Sequence, residues 1–147
     1  MRRAKILFDN QYQKGYLPVD GANSAINELG KRYNLALVTS RKKISENLTR
    51  NWLKQHFDYP FDTIVFADFW DDGKNSKDGH FRHKGDLFTQ VGADIVIDDQ
   101  LKHCEAATEA GAQAILFGDY AWNKTGELPG SITRCKDWSE VLEWLIK

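Results

Sequence analysis

Four short runs are apolar but for the leading threonine of the second: Leu35-Ala36-Leu37-Val38, Thr63-Ile64-Val65-Phe66, Ile95-Val96-Ile97 and Ala114-Ile115-Leu116-Phe117. Each has the length of a strand and no polar alternation, which predicts strands buried on both faces. Ile6-Leu7-Phe8 is a shorter run of the same kind. Stretches of helical length separate the runs. Strand and helix taken in turn dictate an α/β fold, a mainly parallel sheet with helices on both faces.

The intervening stretches carry apolar residues at helical spacing. Ala22, Ile26 and Leu29 share one face, closed by Gly30. Ile44, Leu48, Trp52 and Leu53 form a second, with Ser45 and Glu46 near its start. Leu101, Cys104, Ala107 and Ala110 line a third, stopping at Gly111. Trp138, Val141, Leu142 and Leu145 make the last, with Asp137 as its N-cap. No repeat or linker divides the chain, so residues 1–147 are expected to form one domain. Asp71 to His83 is the long irregular connection.

Composition narrows the function classes. With 147 residues the chain is long enough to fold without disulfide or structural metal. Its 20 basic and 21 acidic side chains leave a net charge of −1, which argues against a dedicated nucleic-acid binder. No apolar run approaches the ~20 residues that span a bilayer, and no signal-peptide pattern follows Met1. Cys104 and Cys135 form no Cys-x-x-Cys pair, so a disulfide scaffold or zinc knuckle is excluded. A reducing, cytoplasmic location is expected.

Parallel α/β sheets bind ligands beyond the carboxyl ends of their strands. Thr39, Ser40 and Arg41 follow one apolar run, Asp98 and Asp99 another, and Asp9 follows Ile6-Leu7-Phe8. Lys84 opens a helix fourteen residues before Asp98. Taken singly, each has a plain structural explanation: a helix cap for the hydroxyls and carboxylates, a solvated charge for the lysine. Taken together at one sheet edge, they are the parts that hold a phosphate and a magnesium ion. Hydroxyls and amides donate to phosphate oxygens, lysine offsets their charge, and carboxylates bind the hard cation.

The order of these elements resembles the haloacid dehalogenase superfamily, whose members are mostly magnesium-dependent phosphatases with a Rossmann-like fold. Its second signature is matched by Leu37-Val38-Thr39-Ser40-Arg41, its third by His83-Lys84-Gly85-Asp86, and its fourth by Ile97-Asp98-Asp99. The resemblance runs from about Leu17 to the C-terminus and looks closest to the 5′-nucleotidase-like (deoxyribonucleotidase type C) branch. Phe117-Gly118-Asp119-Tyr120-Ala121-Trp122-Asn123 and Arg134-Cys135-Lys136-Asp137-Trp138 are the longer strings that carry it.

The first signature of that family is Asp-x-Asp, a nucleophile followed by a general acid. Here the stretch is Asp9-Asn10-Gln11-Tyr12-Gln13, and Gln11 has no ionisable proton to give. Two readings of the segment stand. In one, Ile6-Leu7-Phe8 is the central strand and Asp9 the nucleophile, which completes the sheet. In the other, residues 1–17 are the remnant of a cap helix, and the nucleophile strand lies upstream of Met1.

The resemblance thus implies a magnesium-dependent phosphomonoester hydrolase acting through an aspartyl-phosphate on Asp9. Thr39, Ser40, Arg41 and Lys84 would hold the phosphoryl oxygens, and Asp9, Asp98 and Asp99 the Mg²⁺. The alternative is an inactive module that keeps the phosphate cradle and has lost the nucleophile. Without a sizeable cap the pocket is expected to be open, which suits a large substrate or closure by a partner subunit in a homo-oligomer. A small phosphorylated substrate is expected, and neither nucleic acid nor membrane as a partner.

Other residues weigh less. His80 and His83, and the neighbours His103 and Cys104, lack the further ligands that zinc requires. The run Arg41-Lys42-Lys43 reads as a solvated basic turn, or as a steering patch for a phosphate ester. Trp70 and Trp122 are the tryptophans with a place in a substrate pocket. A receiver domain uses Asp, Thr and Lys at the same edge, but with the acidic pair first and the lysine last, the reverse of the order here.

Overall fold

The computed structural model describes residues 16–66 and 84–146. Expectations placed on Ile6-Leu7-Phe8, Asp9, Gln11, Trp70, His80 and His83 lie outside these residues, as does the side chain of Lys84. The chain divides into two compact units, residues 1–83 and 84–147.

The first unit holds α1 (Ala22–Gly30), β1 (Ala36–Thr39), a 3-10 turn (Lys43–Ser45), α2 (Glu46–His56) and β2 (Thr63–Phe66). β1 and β2 pair in parallel, with Ala36 opposite Thr63 and Thr39 opposite Phe66. Leu37, Val38, Ile64 and Val65 are only half-buried. This corrects the expectation of strands buried on both faces. Among the described residues the ladder has two strands, so its side chains have fewer same-face neighbours than those of a flanked strand.

Ile44 is a second correction. It was expected on the inner face of α2 and is 89% exposed. The 3-10 turn winds at 3.0 residues per turn rather than 3.6, so the phase shifts and the inner positions pass to Ser45, Thr49 and Leu53, all buried. α1 buries Ala22, Ala25 and Leu29. Gly30 ends it where a Cβ would stand 2.5 Å from the Tyr59 ring. The Tyr59 hydroxyl accepts from Leu35 N–H at 3.3 Å, so this glycine lets an aromatic clip the chain entering β1.

The second unit runs α3 (Lys84–Gln90), β3 (Ile95–Asp98), α4 (Leu101–Glu109), β4 (Gln113–Phe117), β5 (Ile132–Cys135) and α5 (Trp138–Ile146). Its sheet order is β3-β4-β5, all parallel. β4 is flanked on both sides and fully apolar from Ala114 to Phe117, and those four residues are buried. α4 packs on β3, β4 and α3, and α5 on β5. Cys104, Ala107, Ile115, Leu116 and Val141 are without measurable exposure and form the centre of this core. α4 ends as expected at Gly111, whose φ of +93° lets Ala112 N–H close back on the Ala107 carbonyl at 3.0 Å. Ala110, expected on the inner face, is exposed because it already belongs to this cap. Asp137 caps α5, accepting from Glu140 N–H at 2.9 Å while the Glu140 carboxylate accepts from Lys136 N–H at 2.6 Å.

Candidate functional site

Thr39, Ser40 and Arg41 stand at the carboxyl end of β1, as their place after the apolar run predicts. Thr39 Oγ1 accepts from Arg41 N–H at 3.2 Å, and the chain turns there. Arg41 Nη1 donates to Thr49 Oγ1 at 3.0 Å, Thr49 Oγ1 donates to the Ser45 carbonyl at 2.9 Å, and Ser45 Oγ donates to the Lys42 carbonyl at 2.8 Å. This relay ties the loop to the first turn of α2. Burial pulls the Arg41 guanidinium below its ordinary value, though an arginine keeps its charge at neutral pH. Lys43 pairs with Glu46 at 3.0 Å and lies 5.6 Å over the Phe66 ring. The basic run is therefore partly built into the fold rather than simply solvated.

Ser40 stands apart from this relay. It is 6% exposed, and among the described residues its hydroxyl is the buried side-chain polar group without a hydrogen-bond partner. Such a group costs roughly 1–3 kcal/mol, and native structures satisfy nearly all of them. A phosphate oxygen is an acceptor of the kind it lacks.

Asp98 is the last residue of β3 and Asp99 follows it; Lys84 is the first residue of α3, the helix-opening position expected for it. The two carboxylates have different surroundings. Asp98 Oδ1 accepts from Gln100 N–H at 2.9 Å and lies 3.1 Å from His103 Nδ1, with both side chains nearly buried. It opens α4 and anchors His103. Cys104 Sγ lies 3.7 Å from the Asp98 carbonyl and 3.6 Å from that of Ile115, so the His103-Cys104 pair serves packing in this unit.

Asp99 faces the loop after β4. Its Oδ2 accepts from Trp122 Nε1–H at 3.1 Å, and its carbonyl from Asn123 Nδ2 at 3.1 Å. Trp122 is stacked on Tyr120, with ring centroids 4.5 Å apart and 9° between planes. Asn123 is 1% exposed and uses its whole amide. Nδ2 also donates to the Phe117 carbonyl at 2.9 Å, while Oδ1 accepts from Tyr120 N–H at 3.0 Å and Arg134 Nη1 at 3.2 Å. Arg134, from β5, donates further to the carbonyls of Gly118 at 2.6 Å and Asn123 at 2.7 Å. The strings Phe117–Asn123 and Arg134–Trp138 are thus partners in space. Asn123 and Arg134 were not predicted as site residues; they hold the loop that reaches Asp99. A buried-type Asn inside a polar loop, with an Arg in the next strand, is the signal that could have found them.

Carboxylate oxygens suit Mg²⁺, which takes one or two of them and fills its shell with water and phosphate. Among the described residues no group of three or more His, Cys, Asp or Glu gathers around one point. The oxygen donors of Asp98 and Asp99 are of the kind that suits Mg²⁺. Asp98 Oδ1 is thus engaged on Gln100 and His103, and Asp99 Oδ2 on Trp122. Among the described residues no helix is long and apolar enough to cross a membrane.

No family model matches the chain. It is 25% identical over 127 residues to a protein of Halalkalibacterium halodurans named “Putative nucleotidase”, covering 86% of this chain and 57% of that protein. The chain thus spans a little over half the length of the curated relative it matches. Its structure is similar to the crystal structure of D,D-heptose 1.7-bisphosphate phosphatase from B. bronchiseptica complexed with magnesium and phosphate. That match has a TM-score of 0.61 at 19% identity, over 91% of this chain and 86% of that one. The parallel strands that carry Thr39 and Asp98-Asp99 at their carboxyl ends thus belong to an α/β fold that this chain shares with that phosphatase structure.

Proposed function

We propose that the chain acts as a magnesium-dependent phosphomonoester hydrolase that resembles nucleotidases and favours leaving groups that need no proton. The orphaned hydroxyl of Ser40 carries this reading. It is a buried donor at a strand end, beside Thr39 and Arg41, whose missing acceptor matches a phosphoryl oxygen. The nucleotidase likeness and the phosphatase fold support the same chemistry.

Ser40 donates to one phosphoryl oxygen, and Thr39 and the nearby backbone N–H groups position another; the resemblance implies that the Lys84 ammonium would offset the charge. The Asp99 carboxylate would hold the cation, which when bound would supply charge neutralisation at a phosphate. The resemblance gives the attack to Asp9. Its carboxylate oxygen bonds to phosphorus as the ester P–O bond breaks and the alcohol oxygen leaves with the electron pair. Water then splits the acyl phosphate, releasing inorganic phosphate and restoring the carboxylate. With Gln11 unable to give a proton, a leaving group that needs none is favoured, since positioned proton transfer contributes about 10²–10⁴-fold.

The test compares an aryl phosphate, an acyl phosphate and a nucleoside monophosphate, with and without Mg²⁺. Turnover of the first two that exceeds the third, and that Ser40→Ala and Asp99→Asn each abolish, supports the hydrolase. Absence of turnover on all three, with phosphate binding retained, favours the binding module that the degenerate first signature also allows.

A further inference from the structure

The hydrolase reading leaves unexplained why Asp99 is gripped at two levels by the same two-residue segment. Asn123 Nδ2 holds its carbonyl and Trp122 Nε1 holds its carboxylate, each at 3.1 Å. The Asn123 contact fixes where the backbone of Asp99 lies, because Asn123 is itself tied to the carbonyls at the end of β4 and to Arg134 of β5. The Trp122 contact fixes where the carboxylate turns. An indole offers one N–H in the plane of a rigid ring, and the stack on Tyr120 sets that plane. Trp122 is 43% exposed, so burial gives no sufficient reason for a tryptophan here. The hydrogen bond does.

We propose that Trp122 is a positioning residue that orients the Asp99 carboxylate for a divalent cation, with Asn123 fixing the backbone beneath it. This rests on the reading of Asp99 as the cation's ligand. Hydrogen bonds to ligating carboxylates restrict their rotation before the metal arrives, and losing one typically weakens metal binding about 10–100-fold. Trp122 acts through Asp99 and touches neither cation nor phosphate.

Trp122→Phe tests this, since it keeps a ring over Tyr120 and deletes the N–H donor. Magnesium chloride alone is titrated into the full chain, the wild type, Trp122→Phe and Asp99→Asn, with melting temperature and the tryptophan indole ¹H–¹⁵N resonances as readouts. The expected result is about tenfold weaker magnesium binding in Trp122→Phe, with an unchanged metal-free melting temperature, and no binding in Asp99→Asn. In the wild type, the indole resonance missing from Trp122→Phe moves on titration. Magnesium binding in Trp122→Phe within twofold of wild type, while Asp99→Asn has lost it, overturns the positioning role alone. Wild-type binding that survives in Asp99→Asn, or no binding by the wild type, overturns the ligand assignment and this inference with it. If Trp122→Phe fails to fold, the Trp122 resonance, assigned by another route in the wild type, decides: a signal unmoved by magnesium overturns the role.

Discussion

Arg134 grips Asn123 twice, through Nη1 on Oδ1 at 3.2 Å and Nη2 on the backbone carbonyl at 2.7 Å. The pair joins three strand ends, since Asn123 also reaches carbonyls after β3 and at the end of β4, and Arg134 belongs to β5. Buried networks of this kind are costly when only partly satisfied.

Asn123→Ala removes its side-chain hydrogen bonds to the Asp99 and Phe117 carbonyls and to Arg134. The loss is expected to be roughly 2–4 kcal/mol, from several hydrogen bonds and their desolvation. Asn123→Asp is expected to be at least as damaging at neutral pH, because it sets a carboxylate oxygen against two carbonyls. Urea denaturation at constant m measures both. A loss below about 1 kcal/mol for Asn123→Ala would mean that the loop is held by other contacts.

Ser40→Ala behaves in the opposite way. Removing an unpartnered buried hydroxyl relieves its desolvation, so the ligand-free protein is expected to gain about 1 kcal/mol. Inorganic phosphate should stabilise the wild type by mass action and Ser40→Ala much less. Thermal unfolding with and without phosphate reads both effects. A destabilised Ser40→Ala would show that the hydroxyl has an acceptor in the free protein.

Gly118 has φ +89°, and a Cβ there would lie 2.1 Å from the Tyr120 ring. Gly118→Ala therefore carries two costs, a left-handed backbone that L side chains resist by roughly 1–2 kcal/mol and a clash with the ring. Adding Tyr120→Ala should relieve the second and leave the first. A double-mutant cycle on denaturation free energies is expected to show favourable coupling of about 1 kcal/mol or more. Strict additivity would mean that the ring swings away freely.

The strands that could be read from the sequence were those whose burial leaves no polar residue in the run, and β4 is the clearest, apolar and buried from Ala114 to Phe117. β5 was missed as a strand. It buries Ile132 and Cys135, while Thr133 and Arg134 between them are half-buried, a pattern too short and too polar to announce itself. Thr39 and Asp98 were legible as strand ends because each closes an apolar run. Their partners were not legible. Nothing in sequence spacing says that Asp99 meets Trp122, 23 positions away, or that Asp98 meets His103. Ile44 shows the converse limit: three residues of tighter helix rotate a face that periodicity alone assigns inward.

Cys135 gives the chain a pH dependence that can be worked out in sign. It is 2% exposed, and burial first, then the nearby Glu140 and Asp137 carboxylates, push its thiol above the ordinary value. In the unfolded chain the thiol ionises near pH ~8.5. Below that pH both states hold the proton and the thiol contributes nothing to the slope. Above it the unfolded state releases the proton while the folded state keeps it, so the unfolded state binds fewer protons and stability falls with rising pH. The decline begins near the unfolded thiol's value and ends when the folded thiol also ionises. Denaturation between pH 8 and 9.5 is expected to show this slope in the wild type and a shallower one in Cys135→Ala, whose absolute stability is lower because it leaves a small cavity beside Phe117. The same burial should keep the thiol from reacting with an aromatic disulfide until the protein unfolds. An unchanged slope in Cys135→Ala, or prompt labelling of Cys135 in the native state, would show that the thiol is in contact with solvent.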